Sequence, residues 1–358
     1  MSRRVLHLGL LPVLLLAGLA GPSHTRPNRG TVVEVGIVLD DSAGMAPWQD
    51  AARIEIGRLL LEASRWRPGP QVRLGLVVYG NDDETRARVV HDLGEDVDGL
   101  LDVLGRAEGR GGVEDVTTAI ERAREGLGWS RQAPVQVLVL IGNESPHQVP
   151  GRDPRDAARA AARDGLVVHV LYAGREGDLF EAEWQEIAQA GGGELRRLSL
   201  PRRRTNAARQ QAAEDDARLW SRRLLLPPGA TPRLVARHAR VSQAFGELGE
   251  EAVAVRRRLV AAGLVLPPED LVLRHERGEL DLDAAEGWPP ELEGLTPAER
   301  RVHLETTARR RAEARAAWRS AADDVPGGPP GALADLLAAQ ARAAGFTRSA
   351  QPASGGGR

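Results

Sequence analysis

Three short polar stretches carry the residues that could do chemistry: Asp40-Asp41-Ser42-Ala43-Gly44-Met45, Gly111-Gly112-Val113-Glu114-Asp115 and Asn143-Glu144-Ser145-Pro146-His147. Carboxylates, a hydroxyl and an amide are hard oxygen donors, and a cation such as Mg2+ or Ca2+ binds through several such oxygens and water. The same residues allow a second chemistry. Asp40-Asp41-Ser42-Ala43-Gly44 has the strand–turn–helix setting of a GxSxG nucleophile, with His147 or His169 as base. Asp40 stands where that tight turn needs a small residue, which counts against a serine hydrolase built on Ser42. The plainest alternative needs no ligand: Asp40 and Ser42 accept backbone N–H groups at a helix start.

Composition removes other chemistries. There is no cysteine, and none of the 48 basic residues is a lysine. Disulfides, thiol nucleophiles, cysteine-held metals, Schiff-base lysines and the lysine of phosphate loops are excluded. A formal charge of −2 argues against nucleic acid as a partner. The eight histidines show no HxxxH-type spacing, so zinc has no support.

The elements that must position these loops alternate. Thr31 to Asp40, Gln71 to Tyr79, Val135 to Ile141 and Leu166 to Leu171 are apolar runs that read as strands. Arg86 to Leu93 is an edge strand and Glu194 to Leu198 a last one. Helical patterns fall at Pro47 to Trp66, Val97 to Leu104, Val113 to Leu127, Pro154 to Asp164 and Leu179 to Ala190. This order predicts an α/β, doubly wound, mostly parallel sheet with helices on both faces. Ligands in such sheets bind beyond the carboxyl ends of the strands, where the Asp40 and Asn143 loops lie.

Residues 31–200 resemble a von Willebrand factor type A (VWA) domain, a Rossmann-like fold. The resemblance rests on "VLDDSAGM", "GGVEDVTTAIERA", "VLVLIGNESPH", "GLVVHVLYAGREGD" and "WQEIAQAGGGELRRL", in the order and spacing of an exported bacterial branch. It implies a metal-ion-dependent adhesion site made by an Asp, two Ser, a Thr and an Asp. Asp40 and Ser42 match the first two. Gly44 stands for the second serine, Asn143 for the final Asp, and no threonine precedes the third helix. Asp40, Ser42 and Asn143 are thus a degenerate metal set, with Glu114 as helper. The expectation is no cofactor, with Mg2+ or another divalent cation as the alternative. Asp41 and Glu144 are the partner-binding candidates, and together with Asp82 and Asp83 they make that end acidic.

Beyond position 200 the pattern turns helical. Met1 to Ala20 reads as a signal peptide: Arg3 and Arg4, a 16-residue apolar run, then Gly18 and Ala20 before a cut. An uncleaved N-terminal anchor is the alternative. Residues 205–325 predict a C-terminal α-helical hairpin or bundle domain. Along Thr231 to Gly263, Val241, Phe245, Leu248, Ala252, Val255 and Leu259 repeat as a coiled-coil-like heptad seam that buries against itself. Thr296-Pro297-Ala298-Glu299 caps another long helix. Residues 326–358 read as a Pro/Gly linker and disordered tail, with a short helix at Ala332 to Ala344. The same exported branch carries a similar helical half, and the resemblance implies no enzymatic activity.

The expected function is therefore an exported, periplasmic or secreted, non-enzymatic protein that binds a protein partner. An envelope assembly protein acting through its helical arm, with homo-association through those helices, is the alternative. No membrane span is expected after signal cleavage.

Overall fold

The computed structural model describes residues 31–80, 86–104, 113–201, 224–284, 287–322 and 331–348. The signal peptide at 1–20, Asp82, Asp83, Gly111 and Gly112 lie outside these residues, as does nearly all of the helix expected over 207–225.

Six strands form one sheet: β1 (Val32–Asp40), β3 (Gln71–Tyr79), β4 (Ala87–Gly94), β5 (Val135–Gly142), β6 (Val167–Tyr172) and β7 (Gly192–Arg197). Their order is β4-β3-β1-β5-β6-β7, with β4 antiparallel at one edge and every other pairing parallel. The chain builds outward from β1 to one side, then returns to build the other, so the switch point lies between β1 and β5. Leu39 pairs with Ile141 across it, which sets the Asp40 and Asn143 loops side by side.

β1 is flanked by strands and covered on both faces, which is why, Glu34 apart, it is apolar up to Asp40. Its odd residues Val33, Val35, Ile37 and Leu39 pack on one face under α1 (Ala46–Ala63) and α2 (Val97–Leu104). Its even residues point to the other face, covered by α3 (Val116–Gly126), α4 (Pro154–Arg163) and α5 (Glu181–Ala190). Asp40 is even-numbered and so projects toward the α3 side.

The helical half is present, and its seam is arranged differently from expectation. The seam is present but runs through two helices, α6 (Thr231–Glu247) and α7 (Glu250–Ala261), because Gly249 at φ 105° breaks the helix. That backbone is open to glycine and strained for other residues. The two helices pack on each other, with Arg256 Nε donating to Ser242 Oγ at 3.2 Å, but the seam is not closed within the helical half. Val241, Phe245, Leu248, Ala252, Val255 and Leu259 join the core beneath α1. A Cβ at Gly57 of α1 would sit 2.5 Å from Val255 Cγ1, so the helices meet closely there. The seam is thus not free to pair with a second chain. This also explains α1, in which Gln49, Arg53 and Glu55 are buried with the apolar residues: helices cover it on both sides.

A smaller core joins Leu225, Leu271, Val272, Leu282, Trp288, Leu292 and Leu304. It packs α8 (Leu271–Glu276) on α9 (Pro297–Ala322), whose capping box forms: Glu299 Oε2 accepts from Thr296 N at 2.8 Å.

The short helix expected at Ala332 to Ala344 is present, but it and the residues just after it belong to the core and not to a tail. Helix α10 (Ala332–Ala343) lies along α1 and reaches β5, β6 and β7, burying Leu333, Leu336, Leu337 and Ala341. Beyond it Phe346 is 3% exposed, 6.0 Å from the Trp66 ring, and β8 (Thr347–Arg348) pairs with β2 (Trp66–Arg67). Proline and glycine around 326–331 suggested a linker and tail, but the apolar residues after them close the core.

Candidate functional site

At the carboxyl end of β1, Asp40 is fully buried and Ser42 nearly so. Asp40 Oδ1 accepts from Ser42 N at 2.8 Å, which folds the loop back over the strand end. Ser42 takes the cap position of a short 3-10 turn without a side-chain capping bond. Its hydroxyl is therefore not spent on helix initiation. From the next strand, Asn143 is half-buried, with its backbone oxygen accepting from Tyr172 Oη at 3.3 Å. Glu114, just before α3, is 2% exposed, and its N–H donates to Gln148 Oε1 at 3.1 Å.

Asp40 Oδ2, Ser42 Oγ, Glu114 Oε2 and Asn143 Oδ1 are buried, and outside this group none has a hydrogen-bond partner among the described residues. Such an oxygen costs about 1–3 kcal/mol each, more when charged. Burial pushes the Asp40 carboxyl above its ordinary value, and the Glu144 charge adds to this. Glu114 is raised by burial first, then by the facing charges of Asp40 and Glu144. The two carboxyls and Ser42 thus sense one another directly.

Gly80, after β3, makes the room. At φ 75° it tolerates no ordinary side chain, and a Cβ there would come 2.6 Å from Asp40 Oδ1 and 3.4 Å from Glu114 Cγ. Sequence reading did not single it out; a glycine directly after a buried strand was the available signal.

The donors fit a hard divalent cation: two carboxylate oxygens, one hydroxyl and one amide oxygen, all without other partners. Among the described residues there is no cluster of three His, Asp or Glu side chains, so the neutral donors are essential to the set.

The other candidates separate. Asp41 is 3% exposed, accepts from Gln49 Nε2 at 3.1 Å and is tied by its N–H to Tyr79 O, so it cannot meet a partner. Burial by α1 and β3 is the reason for this correction. Glu144 is exposed at the rim, with its backbone oxygen held by Trp184 Nε1 at 2.8 Å. His169 lies buried within β6 and accepts from Glu194 N at 3.0 Å, while His147 N donates to Ser145 Oγ. These bonds place neither histidine as a base on Ser42.

Neither a protein-family model nor a curated protein sequence matches the chain. Several solved structures are similar to part of it. The VWA domain of SpRpn10 is 14% identical, with a TM-score of 0.36 over 47% of this chain and 89% of that one. The conserved hypothetical protein BatB from Bacteroides thetaiotaomicron is 19% identical, with a TM-score of 0.36 over 59% and 99%. The pilus adhesin SpaC from Lactobacillus rhamnosus GG is 14% identical, with a TM-score of 0.36 over 47% of this chain and 28% of the adhesin. The doubly wound sheet with its antiparallel edge, and the loops after β1, before α3 and after β5, agree with the resemblance read from the sequence. The α/β part of this chain is a doubly wound, mostly parallel six-stranded sheet with one antiparallel edge, the arrangement expected from its resemblance to the von Willebrand factor type A family.

Proposed function

We propose that this chain is an exported, non-enzymatic protein-interaction module that offers the carboxyl rim of its sheet to a protein partner, around a divalent cation held by Asp40, Ser42 and Asn143 with Glu114. The observation that carries the reading is the meeting of the buried Asp40, Ser42 and Glu114 side chains at one strand end, with the unpartnered Asn143 oxygen on the adjacent loop. A water could satisfy the hydroxyl and the amide. It would leave two buried carboxyls facing each other with no positive partner, an arrangement that keeps one of them from ionising. A cation satisfies all four. Held there, it would supply positive charge at the rim; the protein's own residues fix it and set Glu144 and Val113, both exposed, beside it as contact surface. Export rests on the leader-like sequence, and no helix among the described residues is long and apolar enough to cross a membrane.

Thermal unfolding of the full chain with Mg2+, Mn2+ or Ca2+ tests the cation. Stabilisation by one of them that disappears in Asp40→Ala supports it, and no shift with any cation removes it. A photo-crosslinking side chain at position 144 tests the rim. It should trap a discrete partner in the cell envelope, whereas one at Gln132, exposed before β5 at the opposite end, should not. Equal trapping from both positions would count against the rim.

A further inference from the structure

We propose that Glu114 is itself a cation ligand and supplies the second negative charge of the site, in place of the carboxylate that Asn143 lacks. The inference rests on the cation reading above and concerns how this chain keeps such a site.

Five of the fold's other buried carboxylates, Glu34, Glu55, Asp98, Asp115 and Asp270, have a positive partner, and Asp41 accepts from the Gln49 amide. Glu34, on the same face of β1 as Asp40 but at the opposite end, pairs with Arg73 and accepts from Ser130 N at 2.9 Å and Gln136 Nε2 at 2.8 Å. Glu55 meets Arg58 at 2.6 Å, Asp98 meets Arg256 at 2.6 Å and Asp270 meets Arg311 at 2.7 Å. Asp115, next to Glu114, accepts from Arg86 at 3.3 Å and caps α3 by accepting from Thr118 N at 2.9 Å. Glu114 takes none of these roles. It turns inward, 2% exposed, with Oε2 unpartnered and facing Asp40. No ion pair reaches Asp40 or Glu114 among the described residues.

A charge-rich chain with 48 arginines does not lack cations to pair with. Leaving two buried carboxylates opposed points to a counter-charge from outside the chain. Two carboxylates balance one divalent cation, and the hydroxyl and amide add neutral oxygens. Asn143 offers an oxygen without charge. Glu114, one methylene longer than an aspartate, reaches the cluster from the α3 side through the space that Gly80 leaves.

A calorimetric titration of the full chain with Mn2+, run beside thermal unfolding, tests this. Wild type should bind one Mn2+. Glu114→Gln, which keeps shape and removes charge, should weaken binding by about tenfold or more, and Glu114→Gln with Asn143→Asp should return to within about threefold of wild type. Without metal, Glu114→Gln should melt no lower than wild type, because the amide keeps the shape of a buried carboxyl that has no positive partner there. If Glu114→Gln binds as wild type while Asp40→Asn does not bind, the cation reading stands and the role of Glu114 is lost. If wild type binds no Mn2+, both fall. A Mn2+-soaked crystal gives a readout independent of the variants: the anomalous peak should lie within coordination distance, about 2.2 Å, of a Glu114 carboxylate oxygen. A peak held by Asp40 and Asn143 without Glu114 would overturn the proposal.

Discussion

Arg256 grips both carboxylate oxygens of Asp98, at 2.6 and 3.0 Å, across 158 positions of sequence. Asp98 begins α2 beside the sheet and Arg256 lies in α7, so one bidentate pair ties the helical half to the α/β half. Both side chains are buried, Ser242 Oγ accepts from Arg256 Nε at 3.2 Å, and His238 Nδ1 stands 2.6 Å from Asp98. Around this centre Arg237 meets Asp96 at 2.7 Å and Arg240 meets Asp102 at 3.0 Å nearer the surface. Removing one partner of a buried pair strands the other, at about 3–5 kcal/mol. Asp98→Ala or Arg256→Ala should lower stability by that order in urea unfolding. Arg240→Ala, whose guanidinium is half exposed, should change it by well under half as much. Equal effects would mean that the buried pair is not the clasp.

The same centre makes stability fall in acid. Burial alone would raise Asp98, but Arg256 and His238 hold it well below its ordinary 3.8. Burial, then Arg256 and Arg237, hold His238 below 6.5, against the pull of Asp98. In both cases the unfolded chain takes up protons before the folded one does. The His238 contribution is present above pH 6.5 and declines as pH falls below it; the Asp98 contribution is lost below pH 3.8. Asp40 and Glu114, raised by burial, act in the opposite sense. The test is therefore the difference in unfolding free energy between wild type and His238→Gln, measured from pH 7.5 to 5. It should shift against wild type on acidification, and a flat difference would remove His238 as the source.

Helix α10 is a part of the core. Leu337 is fully buried against the α1 side of the sheet, and Leu333 N donates to Glu55 Oε2 of α1 at 3.0 Å. Leu337→Ala should cost about 2–5 kcal/mol. Deleting residues 332–358 should destabilise the chain further by uncovering α1, and circular dichroism melts would register both. A truncated chain that melts as wild type would restore the tail reading.

The sheet was legible in the sequence because its strands are continuous apolar runs, a pattern that burial on both faces imposes. The placing of Asp40, Ser42 and Asn143 on adjacent loops was legible because the paired ends of β1 and β5 position them. The inward turn of Glu114, named from the sequence only as a helper, was not legible, since sequence cannot say that Asp115 turns to cap α3 while its neighbour is buried. The seam residues were correctly spaced, but their spacing runs unchanged across Gly249 and does not reveal either the break or the partner. That partner is α1, nearly 200 positions earlier, whose two covered sides were the missing signal. Asp41 looked like a rim residue from its place in the loop, yet alternation along β1 gives Asp40 to the cluster and sends Asp41 beneath Gln49.

Gly44 offers a gain-of-function test. It stands where the resembling family carries a second serine, and a Cβ there would lie 3.7 Å from Asn143 Nδ2, an ordinary contact. The position has space for a side chain beside the cluster, unlike Gly80. Gly44→Ser should fold as wild type and add a hydroxyl donor, raising Mn2+ affinity several-fold, on the order of 1 kcal/mol. Gly80→Ala should do the reverse, since its Cβ collides with Asp40 Oδ1 at 2.6 Å and its φ of 75° disfavours alanine. Isothermal titration of both variants separates the outcomes. Unchanged affinity in Gly44→Ser together with unchanged affinity in Gly80→Ala would place the bound ion somewhere other than the loop after β1.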